Sequence, residues 1–127
     1  MAGLYVDTSS LGRILLNEPD ASQIRATMAT FTSLWSSQLL AVELRRLGRR
    51  QALEPAADRL LRAVELTPLG HTNLSRAARL EPIETRTLDA IHLEAAIRLR
   101  GAGTVDAVLT HHDQLRAACQ HHGIPLA

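Results

Sequence analysis

Leu4-Tyr5-Val6-Asp7-Thr8-Ser9-Ser10 is a short β-prone apolar run that ends abruptly in a carboxylate followed by three hydroxyls. Such a run reads as a buried strand. In a parallel sheet covered by helices, ligands bind beyond the carboxyl ends of the strands, and Asp7 stands at such an end. Working outward, further strand candidates fall at 31–36, 64–68 and 107–110, with 124–126 as a last edge strand. Helices are expected between them, at about 9–17, 20–30, 38–51, 55–63, 72–80, 88–100 and 113–122. Ser37 and Thr87 are placed to cap the helices that follow them, and Pro55 suits a first helical turn. Gly101-Ala102-Gly103 and Gly123 close two helices. Strands alternating with helices imply an α/β fold, a parallel sheet of four to five strands flanked by helices on both faces. No repeat, low-complexity tract or linker divides residues 1–127, so one domain is expected.

The chain has 127 residues, enough to bury roughly two-thirds of its unfolded surface as a single domain. It is 46% hydrophobic but only 2% aromatic, which makes the core aliphatic. Formal charge is +1, so there is no global basic field, and nucleic-acid binding would need a local patch. All 14 basic residues are Arg, which removes every Lys-based mechanism. The lone Cys119 cannot form an internal disulfide and fits a reducing compartment. There is no signal-peptide pattern and no apolar run near the ~20 residues of a membrane span, so a soluble cytosolic protein is expected.

Four acids stand out. Asp7 ends the first strand; its ordinary reading is an N-cap, although Thr8, Ser9 and Ser10 are available for that job. Glu43 falls inside the apolar stripe Leu39, Leu40, Leu44 and Leu47 of its helix. Asp89 projects between Leu93 and Ala96 on a helix whose polar face is read as Glu94 and Arg98. Its ordinary reading is an acid favoured by the helix dipole. Asp113 lies between a strand and a helix, where an N-cap is the plain alternative. His92 reads as a packed core histidine. Buried carboxylates are costly unless paired or bound to a cation, so several of them suggest a shared site. The His111-His112 and His121-His122 pairs lack the spacing of a zinc site. Gly101-Ala102-Gly103 follows a helix and lacks the third Gly of a dinucleotide fingerprint.

Acids converging at strand ends would suit Mg²⁺ or Mn²⁺, which prefer oxygen ligands. A cation so held can draw in a phosphodiester, lower the pKa of bound water and balance charge on the phosphate oxygens. Arg46 and Arg50 flank Glu43 and are candidates to hold neighbouring phosphates, or else form a solvated face.

On four stretches the chain resembles the PIN-domain ribonucleases, specifically the VapC toxins of bacterial toxin–antitoxin pairs. These are Tyr5-Val6-Asp7-Thr8-Ser9-Ser10-Leu11, Ala41-Val42-Glu43-Leu44, Thr87-Leu88-Asp89-Ala90-Ile91-His92-Leu93, and Val108-Leu109-Thr110 with Leu115-Arg116-Ala117-Ala118. The resemblance implies a single PIN-like domain and a metal-dependent endoribonuclease acting on RNA. It further implies a cognate VapB-type antitoxin, for which the helices at 9–50 offer contact surfaces, and a homodimer. Asp7, Glu43 and Asp89 match three members of the family's acidic metal-binding set, with Asp113 expected as the fourth. The family's last acid usually stands two residues after the strand-ending Thr, where this chain has His112; Asp113 is one place later. Three outcomes are open: the turn shifts to admit Asp113, His112 substitutes as a ligand, or the site runs on three acids. Asp113→Asn is expected to cost more activity than His112→Ala.

Rivals are few. A phosphotransfer receiver needs a Lys, and a haloacid-dehalogenase-type phosphatase needs a second Asp where Ser9 stands. A PIN-like binding module without catalysis is the alternative that the His112 departure supports.

Overall fold

The computed structural model describes residues 2–127. Its strands are β1 (Gly3–Val6), β2 (Ser33–Ser37), β3 (Glu65–Thr67) and β4 (Ala107–Leu109). Its helices are α1 (Thr8–Leu15), α2 (Ala21–Ala29), α3 (Gln38–Arg50), α4 (Glu54–Leu61), α5 (His71–Ala77), α6 (Thr87–Gly101) and α7 (Asp113–His121). All the strand pairings are parallel, in the order β3-β2-β1-β4.

β1 is central, and Leu4, Tyr5 and Val6 are fully buried. Because strand side chains alternate between faces, Leu4 and Val6 pack with Leu11, Ile14, Leu40, Leu44 and Leu61, on α1, α3 and α4. Tyr5 turns to the other face, where Val108 joins Leu93, Leu99, Leu115 and Cys119 from α6 and α7. The sheet is thus covered on both sides, as the uninterrupted apolar reading of β1 requires. β1 lies so close to the β4 approach that a Cβ on Gly3 would collide with the Thr104 carbonyl oxygen. Gly123, at φ +67°, ends α7 in the left-handed conformation that favours glycine.

The helix punctuation holds in part. Ser37 caps α3, accepting from Leu39 N at 3.2 Å, and Pro55 sits in the first turn of α4. Thr87 does not cap α6: the helix starts one residue earlier than expected, Thr87 is its first residue, and Arg86 holds the cap position without a side-chain bond. The last edge strand shrinks to one bridge, Val108 with Leu126. Pro125 has no N–H to extend a ladder, although its carbonyl accepts from Val108 N. Glu94 departs from its expected solvent face. It is buried, and Arg98 folds over it with bonds of 3.1 Å while also donating to Thr67 Oγ1 on β3 at 2.7 Å. Among the described residues, no helix is long and apolar enough to cross a membrane.

Candidate functional site

A cleft of about 740 Å³ opens at the carboxyl ends of the central strands. Asp7, Glu43 and Asp89 all line it, together with Thr8, Ser9, His92 and His112. Its outer wall is the 83–88 segment, including Ile83, Arg86 and Leu88.

Asp7 is held from several directions. Its Oδ1 accepts from Ser10 N at 3.2 Å and from Ser9 Oγ at 2.8 Å. Its Oδ2 accepts from Thr110 Oγ1 at 2.6 Å and from Ser9 Oγ at 3.0 Å. The bond to Ser10 N makes Asp7 the N-cap of α1, so the capping and site readings both apply. Of the hydroxyls that were candidates to replace it as cap, Ser9 instead orients its carboxylate, while those of Thr8 and Ser10 serve Glu43 and the loop after β4. Ser9 and Ser10 also fasten the loop after β4: Ser9 Oγ accepts from His111 N at 2.8 Å, and Ser10 Oγ hydrogen-bonds His111 Nδ1 at 2.9 Å.

Glu43 projects from α3 across the rim of the sheet. Thr8 Oγ1 donates to its Oε1 at 2.6 Å, and His92 Nε2 bonds the same oxygen at 2.8 Å. On the other side of the ring, His92 Nδ1 is hydrogen-bonded to the Tyr5 hydroxyl at 2.7 Å. Burial alone would raise the Glu43 pKa. The His92 and Thr8 hydrogen bonds and the charges of His92 and His112 outweigh it, so its pKa is lowered below the ordinary carboxylate value. Burial likewise works against a charged His92, yet Tyr5, the Glu43 hydrogen bond and the Asp7 and Glu43 charges raise its pKa to about 10. His92 is therefore both a core residue, as read, and part of the site.

Asp89, in the first turn of α6, is buried. His112 Nδ1 stands 2.8 Å from each of its oxygens and hydrogen-bonds Oδ1. Oδ2 is buried without a hydrogen-bond partner.

Asp113 is not brought to the cleft. It is the exposed first residue of α7, and His112 lines the cleft in its place. The local cause is the turn after β4, where Thr110 Oγ1 accepts from His112 N at 3.1 Å and aims that residue inward. A step of one residue at a helix start then turns Asp113 away by about 100°. Arg46 and Arg50 are exposed on α3 and are not among the residues lining the cleft; Arg86 is the arginine that lines it. The sequence reading missed Thr110, Tyr5 and Thr8 as supports. Their only signal was that hydroxyls cluster at the ends of β1 and β4.

Among the described residues, no three His, Cys, Asp or Glu side chains are grouped so that they could hold a metal ion as they stand. Asp7, Glu43 and Asp89 instead bind hydroxyl, amide and imidazole partners. The donor set still fits a hard divalent cation, since it is rich in carboxylate oxygen and leaves the buried Asp89 Oδ2 without a hydrogen bond.

Known proteins are similar in sequence to this chain along nearly its whole length. Residues 4–119 match the family model described as PIN domain. Ribonuclease VapC46 of Mycobacterium tuberculosis (strain ATCC 25618 / H37Rv) is 32% identical over 126 residues, covering 98% of this chain and 95% of that protein. Ribonuclease VapC47 of Mycobacterium tuberculosis (strain CDC 1551 / Oshkosh) is 30% identical over 131 aligned positions, covering 98% of this chain and 95% of that protein. With the parallel sheet, the acid at the end of β1 and a match over nearly its whole length, the chain belongs to the PIN domain family and, within it, to the VapC group.

Proposed function

We propose that this protein is an endoribonuclease, the toxin of a type II toxin–antitoxin pair, which hydrolyses RNA phosphodiester bonds in the cytoplasm. The observation that carries the reading is that Asp7, Glu43 and Asp89, from three separate segments, line one cleft at the strand ends. The two relatives named as ribonucleases support it across nearly the full chain.

Asp7, Glu43 and Asp89 would hold Mg²⁺ or Mn²⁺. When bound, such a cation supplies an activated water and balances charge on the phosphate oxygens. The chain's own residues supply the positioning. Ser9 and Thr110 fix the direction of the Asp7 carboxylate, and Thr8 and His92 fix that of Glu43. The Arg86 guanidinium on the outer wall carries positive charge toward a phosphate backbone. The partners that go with this function are an RNA substrate, a VapB-type antitoxin and a second copy of the chain.

The test is incubation of purified, antitoxin-free protein with a pooled tRNA and rRNA substrate in Mg²⁺, in Mn²⁺ and in EDTA, beside Asp7→Asn. Discrete fragments that require metal and vanish in the variant would establish the nuclease. Metal-independent cutting, or equal cutting by Asp7→Asn, would overturn the assignment. Cation binding without cleavage of any RNA would point to the binding module instead.

A further inference from the structure

We infer that His112 is itself a metal ligand, so that the cation sits in a mixed carboxylate and imidazole site that prefers Mn²⁺ to Mg²⁺. The inference rests on the metal-dependent reading of this cleft and adds the identity of the residue that completes the ligand set.

Three observations converge. First, the turn after β4 directs His112, not Asp113, into the cleft. Second, His112 Nδ1 lies 2.8 Å from both oxygens of Asp89. Ligands on adjacent corners of an octahedron with bonds of about 2.1 Å stand about 3 Å apart, so the pair already has the spacing of two ligands on one cation. Third, only one of the Asp89 oxygens is hydrogen-bonded to the ring. The other is a buried acceptor that makes no hydrogen bond, although the same ring nitrogen stands 2.8 Å from it.

The exchange on binding is chemically simple. A neutral imidazole has one proton to place, and coordination through Nδ1 leaves that proton on Nε2. The hydrogen bond to Asp89 gives way to two bonds to the cation, one from each residue. His112 is half exposed, so the ring has room to adjust, whereas Asp89 is fixed by its burial in the first turn of α6. The cation preference follows from ligand type. Mg²⁺ favours oxygen ligands and retained water, while Mn²⁺ accepts imidazole nitrogen more readily.

His92 is the other imidazole on the cleft. Its two nitrogens already serve Tyr5 and Glu43, which leaves no free nitrogen for a cation.

The test is electron spin-echo envelope modulation of the protein loaded with one equivalent of Mn²⁺, for wild type, His112→Gln, His112→Asp and Asp113→Asn. Circular dichroism confirms the fold of each. Imidazole-nitrogen modulation is expected in wild type and Asp113→Asn, and is expected to be absent in both His112 variants. Calorimetric titration with each metal should show His112→Gln weakening Mn²⁺ by on the order of 10- to 100-fold or more, since losing even a residue that only orients a ligand costs about that much. His112→Asp should shift the Mn²⁺ to Mg²⁺ affinity ratio toward Mg²⁺. Bound Mn²⁺ without nitrogen modulation in wild type, or modulation that survives in His112→Gln, would overturn the inference while leaving the metal reading intact. Failure of wild type to bind either cation would overturn both.

Discussion

His92 Nε2 stands 2.8 Å from Glu43 Oε1, a bond that joins two helices packed on opposite faces of the sheet. α3 covers the face of Leu4 and Val6, and α6 covers the face of Tyr5. The two helices reach each other only past the ends of the strands, and the hydrogen-bonded contact there is an acid with a histidine. This clamp belongs to the fold and to the cleft at once.

Removing the clamp should therefore unsettle both. His92→Leu strands a fully buried Tyr5 hydroxyl and a partly buried Glu43 carboxylate. The expected loss of stability is about 2–4 kcal/mol. His92→Gln, which keeps a donor toward Glu43, should recover part of it. Urea denaturation midpoints, compared at constant m-value, decide the matter.

At the cleft, Asp89→Asn should abolish cleavage and leave the melting temperature near that of wild type, since an amide keeps the side chain's shape. Asp113 is exposed and outside the cleft, so Asp113→Asn should stay within a few-fold of wild-type activity, while His112→Ala should lose far more. This order is opposite to the one expected from the sequence. RNA cleavage rates for the three variants, measured side by side, would establish it; a severe Asp113 defect would restore that acid to the site.

Thr110 is the least conspicuous support of the site. Thr110→Val keeps the volume but deletes the 2.6 Å bond to Asp7 Oδ2 and the acceptor for His112 N. Asp7 keeps its bonds to Ser9 and Ser10, so the expected cost is about 1–3 kcal/mol in stability. The activity loss should exceed what that destabilisation explains, because both Asp7 and His112 lose their aim. Cleavage assayed well below the melting transition separates the two effects.

Gly3→Ala tests the packing beneath the site. The added methyl would meet the Thr104 carbonyl, and the backbone bond from Asp106 N to Gly3 O holds the two segments together. Overpacking against a backbone that cannot yield should cost about 1–3 kcal/mol or more. A thermal melt unchanged from wild type would show that the loop before β4 moves freely.

Cys119 should be chemically silent in the native protein. Burial is the main cause of its raised pKa, about 11, with the Asp7 charge adding to it and Arg116 opposing. A thiol that ionises later in the folded state stabilises the fold fully below its unfolded pKa near 9, and that contribution fades as pH rises toward 11. Iodoacetamide at pH 8 should label it only after denaturant is added, which mass spectrometry would show. Prompt native labelling would mean that the α7 side of the core opens readily.

The sequence displayed the sheet more openly than it displayed the site. β1 and β4 are short apolar runs, β2 and β3 short mixed ones between helices, and each was legible to within about two residues. Glu94 was misread because α6 is covered on nearly all sides, so the Glu94 and Arg98 face that looked solvated is an internal ion pair bracing β3. Asp7 stood out as a carboxylate that ends an apolar strand, and Glu43 and Asp89 as acids on the apolar faces of helices. Thr110 and Tyr5 were not, since a threonine or tyrosine in a strand is ordinary and the partners lie about ninety or more residues away in sequence. The choice between His112 and Asp113 depended on one turn's hydrogen bond, which side-chain periodicity cannot resolve.

The central place of β1 has a consequence in time as well as in space. Backbone amides of the innermost strand exchange with solvent only when the whole domain opens, whereas an exposed loop exchanges through small local fluctuations. Tyr5 and Val6 should thus be among the slowest-exchanging positions, with the exposed 83–88 wall among the fastest. The carboxylate at the end of β1 thus rests on the part of the molecule that opens last, while one wall of its cleft is built from a part that opens early.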